Sequence, residues 1–265
     1  MEIFLAVLFG FAILSILLNL FIFFFQERLI FQGRAIPVSY KYDFKNDYEE
    51  LFLESEPNSR IHTLHFKVDN PIGVLLYFHG NRGDLRRWGK IGSALTNYNY
   101  DVFVMDYRGY GKSIGKRSEG QLYKDSHLLY KYVLDHFDYS KIVVFGRSLG
   151  SSLAVDLASN FSIDQLILET PISQINNALY RFRWIVLTGS MSRLKFNTIR
   201  KAAKIKCPTL ILHGTRDILV PLKFAKELMK NIHSENKKFV LINKGGHNNL
   251  NTFEKYHESL KQTLN

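Results

Sequence analysis

At 265 residues, with 46% hydrophobic and 22% charged residues, the chain has room for one membrane anchor and one globular domain of about 200–250 residues with a sizeable core. Its single cysteine, Cys207, excludes an intramolecular disulfide, and no Cys/His cluster has metal-ligand spacing, so neither a metal nor another cofactor is expected. The net charge of +11 admits nucleic acid, an anionic membrane surface or an acidic substrate as partners, and its placement along the chain discriminates among them.

Ile3 to Phe25 carries no charged side chain, and its only polar side chains are Ser15 and Asn19. As a helix rising about 1.5 Å per residue, the run crosses a hydrocarbon layer of about 30 Å. It is apolar on all faces, unlike an amphipathic core helix. It also lacks the basic start and small-residue cleavage site of a signal peptide. An uncleaved, single-pass transmembrane anchor over 1–25 is therefore expected, followed by a linker over 26–47. Arg28, Arg34, Lys41 and Lys45 follow the run and no basic side chain precedes it, so the positive-inside rule directs the body of the protein to the cytoplasmic side of the membrane.

From Tyr48 the pattern changes. Glu50–Glu54 and Ile61–Lys67 alternate apolar with polar residues around Pro57-Asn58-Ser59, which predicts a hairpin. Short apolar runs then alternate with helix-length stretches. The runs are Ile72–Phe78, Val102–Met105, Ile142–Phe145, Leu166–Leu168, Thr209–Leu212 and Phe239–Ile242. The stretches are Asp84–Leu95, Glu119–Phe137, Leu149–Ser159, Leu222–Ile232 and Asn251–Leu264. The alternation predicts an α/β domain over 48–265, with a mainly parallel eight-stranded sheet and helices on both faces. Ligands of such sheets sit beyond the carboxyl ends of the strands.

Chemically capable residues follow these runs. Gly146-Arg147-Ser148-Leu149-Gly150 stands between a run and a helix, as a strand-to-helix elbow presenting Ser148 requires. A serine hydroxyl needs a base, and the base an orienting acid. Asp217 in His213-Gly214-Thr215-Arg216-Asp217 is the expected acid, with Glu169 after Leu166–Leu168 as its rival; His213 is read as structural. His247 in Lys244-Gly245-Gly246-His247 is the expected base. Two N–H donors must face the oxyanion: the amide of Leu149, and that of Asn81 in His79-Gly80-Asn81-Arg82-Gly83. Asp106-Tyr107-Arg108-Gly109-Tyr110-Gly111 lacks the Gly-Lys-Ser/Thr ending of a phosphate loop at the required spacing, and Asp106 would repel phosphate, so it is read as structural support for that side.

Taken together, these motifs resemble the α/β-hydrolase superfamily from about Tyr48 to the C-terminus. The closer resemblance is to the serine-aminopeptidase-like branch with an N-terminal membrane anchor, which includes membrane-anchored acyl-protein thioesterases of the depalmitoylase type. It implies the triad Ser148, Asp217 and His247, and hydrolysis of ester, thioester or amide bonds. Arg82, where many members have a small residue, and Ser151, where glycine is common, depart from the pattern.

Ile172 to Lys206 falls where these hydrolases insert a cap. It carries Arg181, Arg183, Arg193, Lys195, Arg200, Lys201, Lys204 and Lys206 with no Asp or Glu, and the apolar segment Trp184-Ile185-Val186-Leu187. Two readings stand: a cap resting on anionic lipid headgroups, or a solvated basic face. The leading function is a membrane-anchored serine hydrolase acting through an acyl-enzyme on an acyl-bearing small molecule, lipid or acylated protein. The alternatives are an acyltransferase using the same acyl-enzyme and a non-catalytic binding module of the same fold. The anchor and the hydrolase residues argue against nucleic acid as a partner.

Overall fold

The computed structural model describes residues 1–174 and 194–265. Arg181, Arg183, Arg193 and Trp184-Ile185-Val186-Leu187 of the expected cap lie outside the described residues.

Helix α1 spans Glu2–Ile30 and is long and apolar enough to cross a membrane. It runs past Phe25, because Gln26 to Ile30 contains no helix breaker and Arg28 sits favourably in the last turn, against the negative end of the helix dipole. The chain leaves it in an extended conformation at Phe31. The Phe31 ring is buried, packed edge-on to Phe196 with Arg117 stacked over it at 4.3 Å. The short strand β1 (Gln32–Gly33) follows, so the segment expected as a linker begins by docking onto the domain.

The remaining elements are β2 (Tyr48–Glu56), β3 (Ser59–Phe66), β4 (Val74–Phe78), β5 (Arg82–Gly83), α2 (Leu85–Ala94), β6 (Asp101–Met105), α3 (Glu119–His136), β7 (Ile142–Arg147), α4 (Gly150–Asn160), β8 (Gln165–Glu169), α5 (Thr198–Ala202), β9 (Thr209–Gly214), α6 (Leu222–Asn231), β10 (Lys237–Ile242) and α7 (Glu254–Leu264). Eight strands form one sheet in the order β10-β9-β8-β7-β4-β6-β3-β2. The pairs from β10 to β6 are parallel, and β3 joins β6 and β2 antiparallel. The sheet is the expected α/β-hydrolase sheet. Strand order reverses at β4, and because β4, β7, β8, β9 and β10 run parallel their carboxyl ends share one edge.

The twofold alternation of a strand divides the core between the two faces. Val74, Leu76 and Phe78 pack with α3, α4 and α6 on one face, while Leu75 and Tyr77 pack with α2 and α7 on the other. The strands flanking the site are buried on both sides, which explains their unbroken apolar runs. Strand β3 is buried on both faces too, although its polar residues alternate with apolar ones. His62 lies under the Tyr42 ring and meets Glu50 at 2.8 Å; His65 stacks on Phe103 and meets Asp101 at 3.1 Å.

Burial depresses His62 to a pKa of about 4 despite its Glu50 partner. Between pH 6.5 and 4 the unfolded chain therefore binds a proton here that the folded chain does not, so stability falls as the pH is lowered through this window. Thermal melts of the full chain in detergent micelles are expected to show that fall, and His62→Gln to flatten it.

Candidate active site

The turn after β7 sets the geometry. Ser148 has φ of +51°, the left-handed region a side chain rarely enters. A Cβ on Gly146 would lie 2.6 Å from the Ala154 Cβ, and one on Gly150 would overlap the Phe78 carbonyl. Glycine at both positions therefore lets α4 start directly over β4 and β7. The Ser148 amide donates to the Glu169 carbonyl at 2.9 Å, tying the elbow to the end of β8.

The ends of β9 and β10 come equally close. A Cβ on Gly214 would strike the Gly245 carbonyl, which accepts from the Arg216 amide at 2.8 Å. The loop after β9 thus lies against the loop after β10, and Asp217 meets His247. The Asp217 carboxylate accepts from His247 Nδ1 at 2.8 Å through one oxygen, and from the Leu219 and Val220 amides, each at 2.9 Å, through the other. Burial, the largest single influence, raises its pKa, but the bond to His247, the His247 charge and the Val220 amide together outweigh it and hold the carboxyl below its ordinary value. On the far side of the ring, His247 Nε2 lies 3.0 Å from Ser148 Oγ. A carboxylate, an imidazole and a hydroxyl thus form one hydrogen-bonded line, an arrangement able to take a proton from the hydroxyl.

The loop after β4 closes the other side. Gly80 stands close to Ser148, and its flatness leaves room for the Trp88 ring. Asn81 is tied down on three sides. Its side chain donates to the Ile30 carbonyl at 2.9 Å, and its own carbonyl accepts from the Gln32 amide at 3.0 Å and the Tyr110 hydroxyl at 2.7 Å. Among the described residues, the amides of Leu149 and Asn81 donate no hydrogen bond.

The other sequence candidates are structural. Glu169 does not reach His247: one oxygen lies 3.3 Å from Arg147 Nε and the other accepts from the Tyr256 hydroxyl at 3.2 Å. His213 Nε2 faces the Val220 carbonyl at 3.1 Å, and burial holds its pKa below the ordinary value. His79 is braced by Asp106 and by the Gly80 carbonyl. Ser151, the departure from the common glycine, is a buried staple. Its hydroxyl bonds to the Ser148 carbonyl and accepts from the Ile172 amide at 3.1 Å, joining the elbow to the foot of the cap.

Sequence reasoning overlooked Arg147. Parallel pairing sets it beside Glu169, and the fully buried guanidinium also reaches the His247 carbonyl at 3.4 Å. Burial, the largest single influence, works against its charge, but Glu169, Tyr77 and Tyr256 together outweigh it and raise its pKa. The available signal was an arginine ending one strand and a glutamate ending the next.

A family model described as serine aminopeptidase, S33 (Hydrolase_4) matches residues 69–200 and 187–254. The chain belongs to this family. Relatives of the chain include the alpha/beta hydrolase domain-containing protein aho-3 of Caenorhabditis elegans, 28% identical over 90% of this chain and 72% of that protein. Protein bem46 of Schizosaccharomyces pombe is 29% identical over 86% of this chain and 82% of its own length. Lysophosphatidylserine lipase ABHD12 of Danio rerio is 32% identical over 62% of this chain and 47% of that protein. The Pyrococcus furiosus esterase Pf2001 has the same fold, with a TM-score of 0.70, 20% identity, and coverage of 89% of this chain and 100% of that one. The chain is a hydrolase of the α/β type.

Removing Glu169 would leave the Arg147 charge buried without its partner, a change that costs about 3–5 kcal/mol. Glu169→Gln is therefore expected to lower stability by roughly that amount in denaturant titrations, with Arg147→Met/Glu169→Leu recovering much of the loss.

Proposed function

We propose that this chain is a membrane-anchored serine hydrolase that cleaves acyl esters or thioesters, with Ser148 as nucleophile, His247 as general base and Asp217 as orienting acid. The observation that carries the reading is the unbroken line from Ser148 Oγ through His247 to Asp217, at 3.0 and 2.8 Å, on a backbone turned to φ of +51° at Ser148. Amide bonds are open to the same chemistry.

In the proposed reaction, His247 Nε2 takes the Ser148 proton as Oγ bonds to the acyl carbon. The charge gathering on the carbonyl oxygen is met by the amides of Leu149 and Asn81. The Leu149 amide also lies at the positive end of α4. Collapse of the adduct expels the alcohol or thiol, which leaves with the proton from His247. Water then enters and gives a proton to His247 as its oxygen bonds to the acyl carbon; His247 returns that proton to Ser148 Oγ as the acyl–Oγ bond breaks and the carboxylic acid leaves. Asp217 remains a carboxylate throughout and holds the imidazole tautomer that presents Nε2 to the serine. Its depressed pKa supports that role.

Acyl-bearing lipids or acylated proteins are the proposed substrates, in keeping with a lipase among the relatives and an apolar helix before the domain. That helix is proposed to span the bilayer once, with the domain on the cytoplasmic face, because Arg28 stands in its last turn and Arg34 just beyond it. A C-terminal tag digested in intact cells would contradict this orientation. Cys207 is a poor reporter for the same question, since burial pushes its thiol up to about 11.

A fluorophosphonate probe is expected to label wild type and to leave Ser148→Ala unlabelled, with ester and thioester turnover lost in the same variant. Asp217→Asn is expected to lower kcat by about 10⁴-fold without unfolding the chain. Turnover retained in Ser148→Ala would overturn the assignment, and an ester acyl group passed mainly to added alcohol would recast the enzyme as a transferase.

A further inference from the structure

Beside the oxyanion loop lies an open cleft of about 210 Å³ lined by Arg34, Arg82, Gly83, Asp84, Arg86 and Arg87. Four arginines and one aspartate thus line it. Asp84 is committed to Arg86, which it meets at 2.7 and 2.9 Å, and to the first turn of α2. Among the described residues, no carboxylate pairs with Arg34, Arg82 or Arg87. Arg87 stacks over Trp88 at 4.7 Å, which fixes its direction but leaves its charge unbalanced. Its pKa is lowered first by burial and then by the positive charge of Arg147, with Arg82 adding to it. The cleft is therefore short of negative charge.

Its position is as telling as its charge. Parallel pairing of β1 with β5 joins the segment that carries Arg34 to the strand that carries Arg82. Arg34 is four residues beyond the end of the apolar helix. On the other side, Arg82 is two residues from Gly80, which stands against Ser148, and two extended residues span at most about 7 Å.

We propose that Arg34, Arg82 and Arg87 form a subsite for the phosphate of a glycerophospholipid substrate, holding the headgroup while the acyl ester lies at Ser148. Guanidinium forks match phosphate oxygens in pairs, and three of them suit a phosphate better than a single carboxylate. The inference extends the hydrolase reading from acyl esters in general to phosphate-bearing lipid esters.

The test has a binding arm and a turnover arm. In the binding arm, glycerol 3-phosphate is titrated calorimetrically into full-length Ser148→Ala in neutral detergent micelles. Adding Arg34→Gln, Arg82→Gln and Arg87→Gln is expected to raise Kd by at least about 10-fold. In the turnover arm, kcat/KM is compared for a lysophosphatidic acid and a monoacylglycerol with the same acyl chain. The ratio is expected to fall by about 10-fold in the triple variant on the Ser148 background, and to stay unchanged in Lys238→Gln, which alters a lysine at the far edge of the sheet. Arg82→Gln alone, at an exposed position, is expected to move both readouts in the same direction if the triple variant does not fold. Undiminished glycerol 3-phosphate binding, or an unchanged ratio, would overturn the subsite. So would an effect seen only when phosphatidylglycerol is added around a neutral substrate, because the arginines would then be reading bystander lipid. Binding lost on substitution with no ester turned over by wild type would overturn the hydrolase reading while leaving the anion site standing.

Discussion

The backbone at Ser148 cannot take its left-handed turn unless α4 and β4 nearly touch, and that approach constrains everything nearby. Gly150 lies against the Phe78 and His79 carbonyls with no room for a side chain, and Gly146 lies against the first turn of α4. The strained residue is held by neighbours on three sides: the Glu169 carbonyl accepts its amide, the Ser151 hydroxyl takes its carbonyl, and His247 reaches its hydroxyl. Strain of this kind costs on the order of 1–3 kcal/mol and persists only where the surroundings over-determine it. Here it raises the hydroxyl clear of the sheet edge.

Beneath the elbow lies a charged layer. Arg147 and Glu169 are both out of water, and the Tyr256 hydroxyl and the His247 carbonyl satisfy part of their remaining hydrogen-bonding capacity. An apolar pair would be a cheaper way to fill the space. The ion pair does something an apolar pair cannot, because one guanidinium reaches both the strand carrying the rival carboxylate and the loop carrying the imidazole. It thereby withholds Glu169 from His247 and leaves Asp217 as its carboxylate partner.

Much of this was readable before any coordinates. Buried parallel strands appear as unbroken apolar runs because both faces are covered, and the glycines at 146, 150, 214 and 245 mark close approaches, so the sheet and the line from Ser148 to Asp217 were legible from Ile142–Phe145, Thr209–Leu212 and Phe239–Ile242. Three features were not. Strand β3 reads as half-exposed, yet His62 and His65 are buried, because their carboxylate and aromatic partners come from distant segments. Ser151 reads only as a departure from a common glycine, since its tie to Ile172 depends on where the chain returns 21 residues later. The stretch after the apolar helix reads as a linker because two paired residues leave no periodicity to detect.

That last stretch has a practical consequence for anyone preparing the domain without its helix. Asn81 Nδ2 and Tyr110 lean on a short piece of chain between Ile30 and Ile36, and Phe31 fills a hole between Arg117 and Phe196. Trimming at Tyr48, where the regular sheet begins, would strip the wall from the loop behind Asn81 and expose a ring-sized apolar gap. A chain begun just before Ile30 keeps the wall, so the useful boundary for a water-soluble version lies inside the last turn of the apolar helix.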